Sequence, residues 1–558
     1  MIKTNTPHIT HSSVVRSSAA TQSNKAYRFP MIWGCFACLL SFFFLLHLTA
    51  CSVLNGDNQP GSTPDYEYEP EPMIQPFERT QATARIADDG ILRLSMRHPL
   101  TLNPLLNEDV TVAKILRLIY EPLLVFDENL RPASHLASIE LSSDFSTATL
   151  TIRDDAIWSD GMPVTSDDLI FSIEVLRLAP DAVIYKRNVE NIARVDRINT
   201  RSALITFERA SVTAAYSLNF PIIPEHHFRN HVNIRSPRNM EPLGNGPYML
   251  SSIVPIHSMI LERNPHTFRR NPQINSIEVL FIPDAETKLH AFDQGVIDAI
   301  RLPFAEWVKH PSVTPAQPAE FPAMYFEFIG FNFARSIFND QLARQAVAHA
   351  INADEAMNAE YLHHAVRAVS PIHPHSWMHD SNINGPAYDT ARAAELFGTV
   401  GITEPLEIVV NTEHIERVRI ANHLAAGLVA AGQSATVIAL PFEEYYARLT
   451  DGEFDLFLGS MQLGFVPDFA FMFQYGQLFG NDTVMEGLFA NLNIASTESA
   501  YLQAVSQLKQ GFVDRLPIIS LGFRHSAVLT GTRVTQSRTP ASDHVFIHVN
   551  EWTIATAP

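Results

Sequence analysis

Residues 406–460 alternate apolar strand segments with helical segments. The segments "LEIVVN" (406–411), "SATVIAL" (434–440) and "FDLFLGS" (454–460) have the length and apolar content of buried strands. Between them, 416–432 and 442–452 show helical periodicity. Consecutive strands joined by helical crossovers lie parallel in one sheet. The pattern therefore predicts an α/β fold for this part of the chain.

The chain before residue 406 predicts a mixture of both element types from about residue 88 onward. Strands are expected at 90–98, 147–161 (with a turn at its end), 203–209, 258–264, 276–283 and 325–333, and helices at 109–127, 165–179, 286–295 and 340–351. Thr165 and Asp168 have the spacing of a capping box at the start of their helix. We find no internal repeat.

The composition bounds the class of protein. The chain has 558 residues, 46% of them hydrophobic and 18% charged, which is typical of a globular chain with a large core. Its net charge of −19 argues against nucleic-acid binding, because phosphate contacts need clustered Lys and Arg. All three cysteines lie within the first 51 residues. The rest of the chain therefore has no disulfide or thiolate metal site and depends on burial of apolar surface for stability.

The N-terminus has the pattern of a secretory signal. Residues 1–30 carry Lys and Arg but no acidic residue, and residues 31–50 carry no formal charge. The apolar run is long enough to span a bilayer, so an uncleaved membrane anchor is the alternative interpretation. A core helix is a poor interpretation, since nothing polar marks a solvent face.

The run ends in "LTAC" (48–51), which resembles the bacterial lipobox. That resemblance implies a signal peptide of residues 1–50 and a diacylated Cys51. Two acyl chains would anchor the protein stably to a membrane. The Cys35-x-x-Cys38 pair resembles a redox motif, but inside a signal segment we interpret it as coincidence. Residues 51–81, rich in Pro, Glu and Tyr, are then an extended tether.

Eight segments of the body carry a resemblance to one family. They are "TLNPLL", the long block from "LIYEPLLVFD" to "TSDDLIFSIE", "PLGNGPYML", "LERNPHTF", "FDQGVIDAI", "GFNFARSIFNDQLARQAVAHAIN", "PAYDTARAAELF" and "GEFDLFLGS". In this order they resemble the family 5 extracellular solute-binding proteins, the peptide- and nickel-type receptors of bacterial ABC importers. The resemblance covers about residues 88–530.

The resemblance implies a fold of large family-5 type. We expect a two-lobed, periplasmic-binding-protein-like (Venus-flytrap) α/β clamp with mixed sheets and an extra subdomain in lobe I. Lobe I would comprise residues 82–319 and the return 521–558, and lobe II residues 320–520. Ligand would bind between the lobes and favour closure by its differential affinity for the closed state. A membrane permease driven by an ATPase would then receive it.

Two glycine-containing loops look like active-site loops but are interpreted as turns. Trp158-Ser159-Asp160-Gly161 and the 244–248 segment "GNGPY" supply special backbone angles. The second loop is no phosphate loop, because it lacks the third Gly, the Lys and a following helix.

The segment "PIHPHSWMH" offers candidates for two kinds of site. His373, His375 and His379 have the chemistry of metal ligands, but spacing across two prolines fixes no geometry, so we favour a Pro-rich loop at the cleft rim and predict no metal. By the resemblance, Trp377 is a candidate for ligand contact. His98, just before the opening loop "TLNPLL", is a further candidate.

Two polar residues near residue 340 have competing interpretations. Arg344 follows Asp340 by four positions, which fits either a surface ion pair or a guanidinium fork for a ligand carboxylate. Asn332 in "FNF" is a candidate for hydrogen bonds to a peptide backbone.

The segment after Gly459 departs from the family pattern. Peptide receptors of the family carry an Asp here that binds the α-ammonium of the ligand. With Pro467-Asp468 as register, that position falls on Leu463, beside Gln462. Both are predicted to lie at the ligand site, and the change favours a capped, modified or non-peptide ligand, or a receptor that has lost affinity.

The predicted function is a lipid-anchored substrate-binding protein of an ABC importer at the extracytoplasmic face of the membrane. We expect a monomer without cofactor that binds a short peptide or similar solute. No motif of a hydrolase, metalloprotease or P-loop enzyme is present, so we predict a non-enzyme and keep a hydrolase only as a remote alternative. A surface sensor or chaperone-like binding module without a transporter is the main alternative.

Overall fold

The computed structural model describes residues 90–303, 317–467, 476–540 and 544–555. The chain divides into two compact units, 1–81 and 82–558, and the described residues all belong to the second. The predicted signal peptide, Cys51 and the tether lie outside the described residues. Within the described part, no helix is both long and apolar enough to cross a bilayer.

The described residues form helices and strands that alternate in some parts of the chain and follow one another as runs of strands or of helices in others. The helices are α1 Val110–Leu116, α2 Ser166–Leu178, α3 Glu225–Phe228, α4 Ala285–Asp293, α5 Gln341–His349, α6 Ala353–Glu360, α7 Thr390–Val400, α8 Ile415–Ala430, α9 Phe442–Asp451, α10 Gly476–Phe479, α11 Thr483–Ile494 and α12 Glu498–Arg515. The strands are β1 Ile91–Met96, β2 Leu124–Phe126, β3 Pro132–Ser134, β4 Ala137–Leu141, β5 Thr147–Ile152, β6 Ile192–Arg197, β7 Ser202–Phe207, β8 Tyr248–Val254, β9 Ser258–Arg263, β10 Ser276–Phe281, β11 Ala299–Pro303, β12 Gln317–Phe331, β13 Ala365–Arg367, β14 Leu406–Asn411, β15 Ala435–Leu440, β16 Leu456–Gln462, β17 Ile518–Thr530, β18 Val534–Thr535 and β19 Thr553–Ile554.

The parallel unit predicted at 406–460 is confirmed. Strand β14 pairs in parallel with β15 on one side and β16 on the other, with α8 and α9 as the crossovers. These strands belong to a sheet of order β11-β17-β12-β16-β14-β15, in which β13 also pairs with β17. Two apolar clusters pack around this sheet. One contains Ile408 and Leu424, and the other contains Val409 and Phe457. Because neighbouring strand residues point to opposite faces, Ile408 and Val409 place a core on each face.

A separate core forms around two four-stranded sheets in the first half of the chain. Their orders are β1-β10-β9-β8 and β4-β5-β7-β6, and only the β1–β10 pair in them is parallel. Fully buried Tyr120, Trp158 and Tyr248 lie in this core, together with Trp552 from the C-terminal segment. The C-terminal segment after residue 521 therefore returns to this core and contacts it directly.

Two long strands of the larger sheet pack against two cores. The first core is the one around the two four-stranded sheets, and the second is the cluster that contains Ile408 and Leu424. Strands β12 and β17 pair along residues 317–330 and 518–530. Their side chains alternate between the cores: Val528 packs in the first, whereas Ala527 and Leu529 pack in the second. This pair is the structural link on which a hinge would act. The lobe boundaries proposed from the sequence stay predictions.

The capping box of helix α2 is confirmed, and it also supports a buried tryptophan. Thr165 and Asp168 make both reciprocal contacts of the box. The Asp168 carboxylate also accepts from Trp158 Nε1 at 3.2 Å and from the Glu225 backbone N–H at 2.8 Å. Gly161 closes the preceding turn at φ +91°. The 158–161 segment is therefore a turn, as predicted, and the start of helix α2 fixes its Trp158 side chain in the core.

Candidate ligand site between the two cores

A tryptophan from the second half of the chain contacts the first half directly. Trp377 Nε1 donates to Tyr216 Oη at 2.6 Å, and its backbone N–H donates to the Asn129 carbonyl at 3.0 Å. On its other side the indole stacks on Tyr501, with ring centroids 6.3 Å apart. Trp377 is partly exposed. It thus joins the two parts of the protein while keeping some surface for solvent or ligand.

Arg131 makes a second set of contacts across the same boundary. Its guanidinium lies over the Trp377 ring, 4.1 Å from the centroid, and its Nη2 pairs with Glu498 at 2.6 Å. The preceding Leu130 accepts from Tyr216 Oη at 2.9 Å. We call this group the Trp377 seam; it consists of Asn129, Leu130, Arg131, Tyr216, Trp377, Glu498 and Tyr501.

Apolar side chains continue the seam toward the end of β16. Phe126 packs on Phe465 with ring centroids 4.3 Å apart. Leu463 is buried in the same cluster, and its backbone N–H donates to the Met324 carbonyl at 2.8 Å. Next to these residues, Leu130 from the first half helps to line a cavity of about 10 Å³, room for about one water molecule.

The two predicted residues at the end of β16 differ in exposure. Gln462 is exposed and opposes Tyr325 of β12, whereas Leu463 points into the apolar cluster. Asp468, the acid that follows them, lies outside the described residues. Leu463 therefore contributes apolar surface where the family comparison of the sequence expected a carboxylate.

Burial lowers the pKa of all three histidines of the 373–379 loop and so favours their neutral form. Burial, with the charge of nearby His375 acting in the same direction, lowers the pKa of His373 to about 3. His373 Nδ1 accepts from the His375 backbone N–H at 3.1 Å, so the proton of the neutral ring lies on Nε2. Burial also lowers the pKa of His379. Among the residues the structure describes, no group of three or more His, Cys, Asp or Glu is arranged to hold a metal ion.

The side chains of Asn332 and Arg344 form hydrogen bonds with carbonyl groups of the protein itself. The amide of Asn332, 1% exposed, donates to the carbonyls of Gly452 and Phe454 at 2.9 and 2.8 Å. Arg344 lies buried and donates to the Arg515 carbonyl at the C-terminal end of α12. Arg344 thus caps a helix instead of forming the surface ion pair that the sequence offered as one interpretation. Ligand binding by either residue stays an untested prediction.

His98 lies in a third environment. It is exposed at the end of β1, and its ring meets Phe281 edge-on with centroids 5.2 Å apart. Of the predicted site residues, Trp377 belongs to the seam and Leu463 belongs to its apolar continuation.

The sequence reasoning missed a buried ion cluster behind this region. Glu327 of β12 pairs with Arg417 of α8 at 2.6 Å and with Arg524 of β17 at 3.3 Å. Glu327 is 1% exposed. Burial raises the pKa of its carboxyl, but the charges of Arg417 and Arg524 and the hydrogen bonds from Arg417 and Ser460 together outweigh burial and hold that pKa below its ordinary value. The only sequence signal was a Glu inside the apolar strand "YFEFIGF", which needs a partner when buried.

Comparisons with known proteins identify the family. A family model described as "Bacterial extracellular solute-binding proteins, family 5 Middle" matches residues 131–482. The chain belongs to this family, as the resemblance in its sequence predicted.

Solved structures confirm the two-lobed fold class. The ABC transporter substrate-binding protein CtaP of Listeria monocytogenes is 18% identical, with a TM-score of 0.72 over 83% of this chain and 99% of that one. NikZ of Campylobacter jejuni, solved with Ni(L-His), is 20% identical, with a TM-score of 0.63 over 83% and 99%. At these identities the likeness concerns the fold.

A curated relative of similar type matches over a shorter stretch. It is a provisionally named ABC transporter peptide-binding protein of Brucella ovis, 24% identical over 289 residues, which are 50% of this chain and 54% of the relative. The chain thus spans about half the length of the first curated relatives it matches.

Proposed function

We propose that the protein is a lipid-anchored, extracytoplasmic substrate-binding protein of an ABC importer. It captures a short peptide or similar small solute between its two lobes and delivers it to a membrane permease. Membership of the solute-binding family supports this function, as do relatives named for peptide transport. The structural observation that carries the proposal is the Trp377 seam, where side chains from both halves of the chain meet around a partly exposed indole.

The ligand contacts we propose follow from exposure. Three of the candidates are exposed or partly exposed, and a ligand can therefore reach them: Trp377, Gln462 and His98. The side chains of Asn332 and Arg344 already donate hydrogen bonds to carbonyl groups of the protein. Neutral groups and aromatic faces suit an uncharged ligand group, because an unpaired buried charge is costly. We therefore propose a peptide with a blocked or distantly held ammonium, bound by a monomeric receptor that needs no cofactor and has no catalytic activity.

One observation favours the alternative of a sensor or binding module without a transporter. Leu463 is 6% exposed inside an apolar cluster. A receptor for free peptides needs a carboxylate for the α-ammonium, and Leu463 cannot supply one. Mass spectrometry of the protein with whatever it retains from its host distinguishes these functions.

The lipid anchor has its own test. Replacing Cys51 by Ala is expected to leave a longer, unlipidated precursor, because the thiol that receives the diacylglycerol is gone. Intact mass and partition between membrane and aqueous fractions measure the change. If the variant and the wild type have the same mass increment and the same membrane partition, the anchor proposal fails. Cys35→Ala, which alters a cysteine outside the lipobox, is the matched control and should be processed normally.

A further inference from the structure

The loop that contacts Trp377 is fixed by hydrogen bonds of its own. The Asp127 carboxylate accepts from the backbone N–H groups of Asn129 and Arg131, both at 2.9 Å. Between them Leu130 adopts a left-handed conformation at φ +59°, which is uncommon for a leucine. These bonds fix three consecutive residues so that the Asn129 carbonyl and the Arg131 guanidinium face Trp377 of the second half of the chain, while the Leu130 carbonyl faces Tyr216 of the first half.

Each of the three fixed residues has a partner in the seam. Asn129 accepts from the Trp377 backbone, Leu130 accepts from Tyr216 Oη, and Arg131 covers the indole. Tyr216 in turn accepts from Trp377 Nε1. The contacts therefore form a closed circuit of protein atoms in which every step is a hydrogen bond or a ring contact.

The circuit combines partly shielded and open contacts. Tyr216 and Tyr501 are buried, whereas the side chains of Arg131 and Glu498 are 43% and 49% exposed. An ion pair this exposed contributes little by itself and is screened by salt. Such a set of contacts is strong enough to bias an equilibrium between open and closed lobes and weak enough to be broken.

We propose that Arg131 and Trp377 are positioning residues that hold the two lobes together through the protein's own atoms and so set the fraction of closed molecules. A ligand that binds the closed state then gains apparent affinity in proportion to that fraction. The effect on affinity rests on the proposed function, whereas the effect on closure needs no ligand.

The test measures closure in the ligand-free full-length protein. Donor and acceptor dyes are attached through non-natural amino acids at exposed Thr200 and Thr399, beside β7 and in α7. We expect Trp377→Phe, which removes the Nε1–H donor, and Arg131→Ala each to lower the closed-to-open ratio about threefold to tenfold. Arg392→Ala is the matched control, because Arg392 pairs with Glu395 at 2.6 Å within α7 alone and should change nothing.

The outcomes separate this proposal from the proposed function. An unchanged closed fraction in folded Trp377→Phe and Arg131→Ala protein, checked by circular dichroism, overturns the positioning role even if a ligand is found. A reduced fraction supports the role even if no ligand is found. If Trp377→Phe does not fold, Glu498→Gln at the exposed end of the circuit gives the same test, and an unchanged closed fraction in that variant likewise overturns the role. Once a ligand is identified, its Kd for Arg131→Ala protein, in which the proposed ligand contact Trp377 is kept, should weaken by the same factor as the closed fraction.

Discussion

Replacing Arg417 by Met is expected to lower the free energy of unfolding by about 3–5 kcal/mol. Arg417 Nε donates to Glu327 at 2.6 Å in the interior of the larger sheet, where both side chains are less than a tenth exposed. Removing the guanidinium leaves a buried carboxylate that keeps, among the residues the structure describes, the ion pair with Arg524 at 3.3 Å. Denaturant midpoints of the full-length protein measure the loss.

The matched control for Arg417 is another arginine with a carboxylate partner. Arg448 pairs with Glu407 at 2.9 Å, but these side chains are 27% and 45% exposed. Arg448→Met should therefore cost only about 0–1 kcal/mol. Adding Glu327→Gln to Arg417→Met should recover part of the loss, because a neutral amide needs no counter-charge. Equal losses for Arg417→Met and Arg448→Met would show that burial of the first pair has no energetic consequence.

Replacing Glu121 by Gln is expected to destabilise the protein at neutral pH and to matter less in acid. Glu121 is fully buried and pairs with His135 at 2.6 Å and Arg269 at 3.2 Å. Burial raises the pKa of its carboxyl, but the charges of Arg269 and His135 and the hydrogen bonds from both side chains together outweigh burial and lower that pKa to about 2 from an ordinary value of 4.5. This difference corresponds to about 3 kcal/mol of stability.

The sign of the pH dependence follows from that lowered pKa. The stabilisation is fully present above pH 4.5 and is lost as the pH falls toward 2, because the unfolded chain then binds a proton that the folded one does not. Buried His373 and half-buried His414, with pKa values lowered to about 3 and 4, also cost stability as the pH falls below 6.5. Their contribution is common to wild type and variant and cancels in the difference.

The measurement is therefore the wild-type minus Glu121→Gln difference in unfolding free energy between pH 7 and pH 3.5. We expect about 3 kcal/mol at pH 7 and a smaller value below pH 4.5. Glu140→Gln, at an exposed position of β4, is the control and should show a small, flat difference. A Glu121 difference that stays constant across this range contradicts the ion-pair account.

The parallel unit was predictable from the sequence because short segments of the chain determine each of its strands and helices. Strand β14 occupies the predicted residues 406–411, and β15 and β16 lie within two residues of the predicted bounds. Each element there combines one periodicity with a clear end, such as Gly452 at φ +73° after α9. The sequence-based prediction omits β17, although the apolar run at 518–530 was available as a signal.

The helix predicted at 109–127 is wrong in its second half. Helix α1 ends at Leu116, although later members of its apolar stripe such as Ile119 and Leu123 are buried as expected. Beyond the helix, the Ile119 carbonyl accepts from the Gly246 backbone N–H at 2.7 Å. A Cβ at position 246 would approach that peptide to 2.6 Å. A contact between residues 127 positions apart replaces the helical bond, and no local pattern reveals it.

The candidate site was less predictable than the fold for the same reason. The family resemblance indicates Trp377 as a candidate, but not its hydrogen bond to Tyr216, which spans 161 positions. Arg344 was paired with its helix neighbour Asp340, yet it donates to carbonyls 171 and 172 positions away. Residue type indicates what a side chain is able to bind, whereas tertiary packing decides which partner is within reach.

The measurement that tests the central claim most directly is native mass spectrometry of the protein purified gently from its bacterial host. The account predicts protein that carries one equivalent of small solute, most simply a ladder of short peptides with blocked or modified ends, lost on mild activation. Addition of such a peptide should then raise the melting temperature of emptied protein. Protein that carries nothing, and whose melting temperature no peptide, sugar or nickel–histidine mixture shifts, would contradict solute capture as its function.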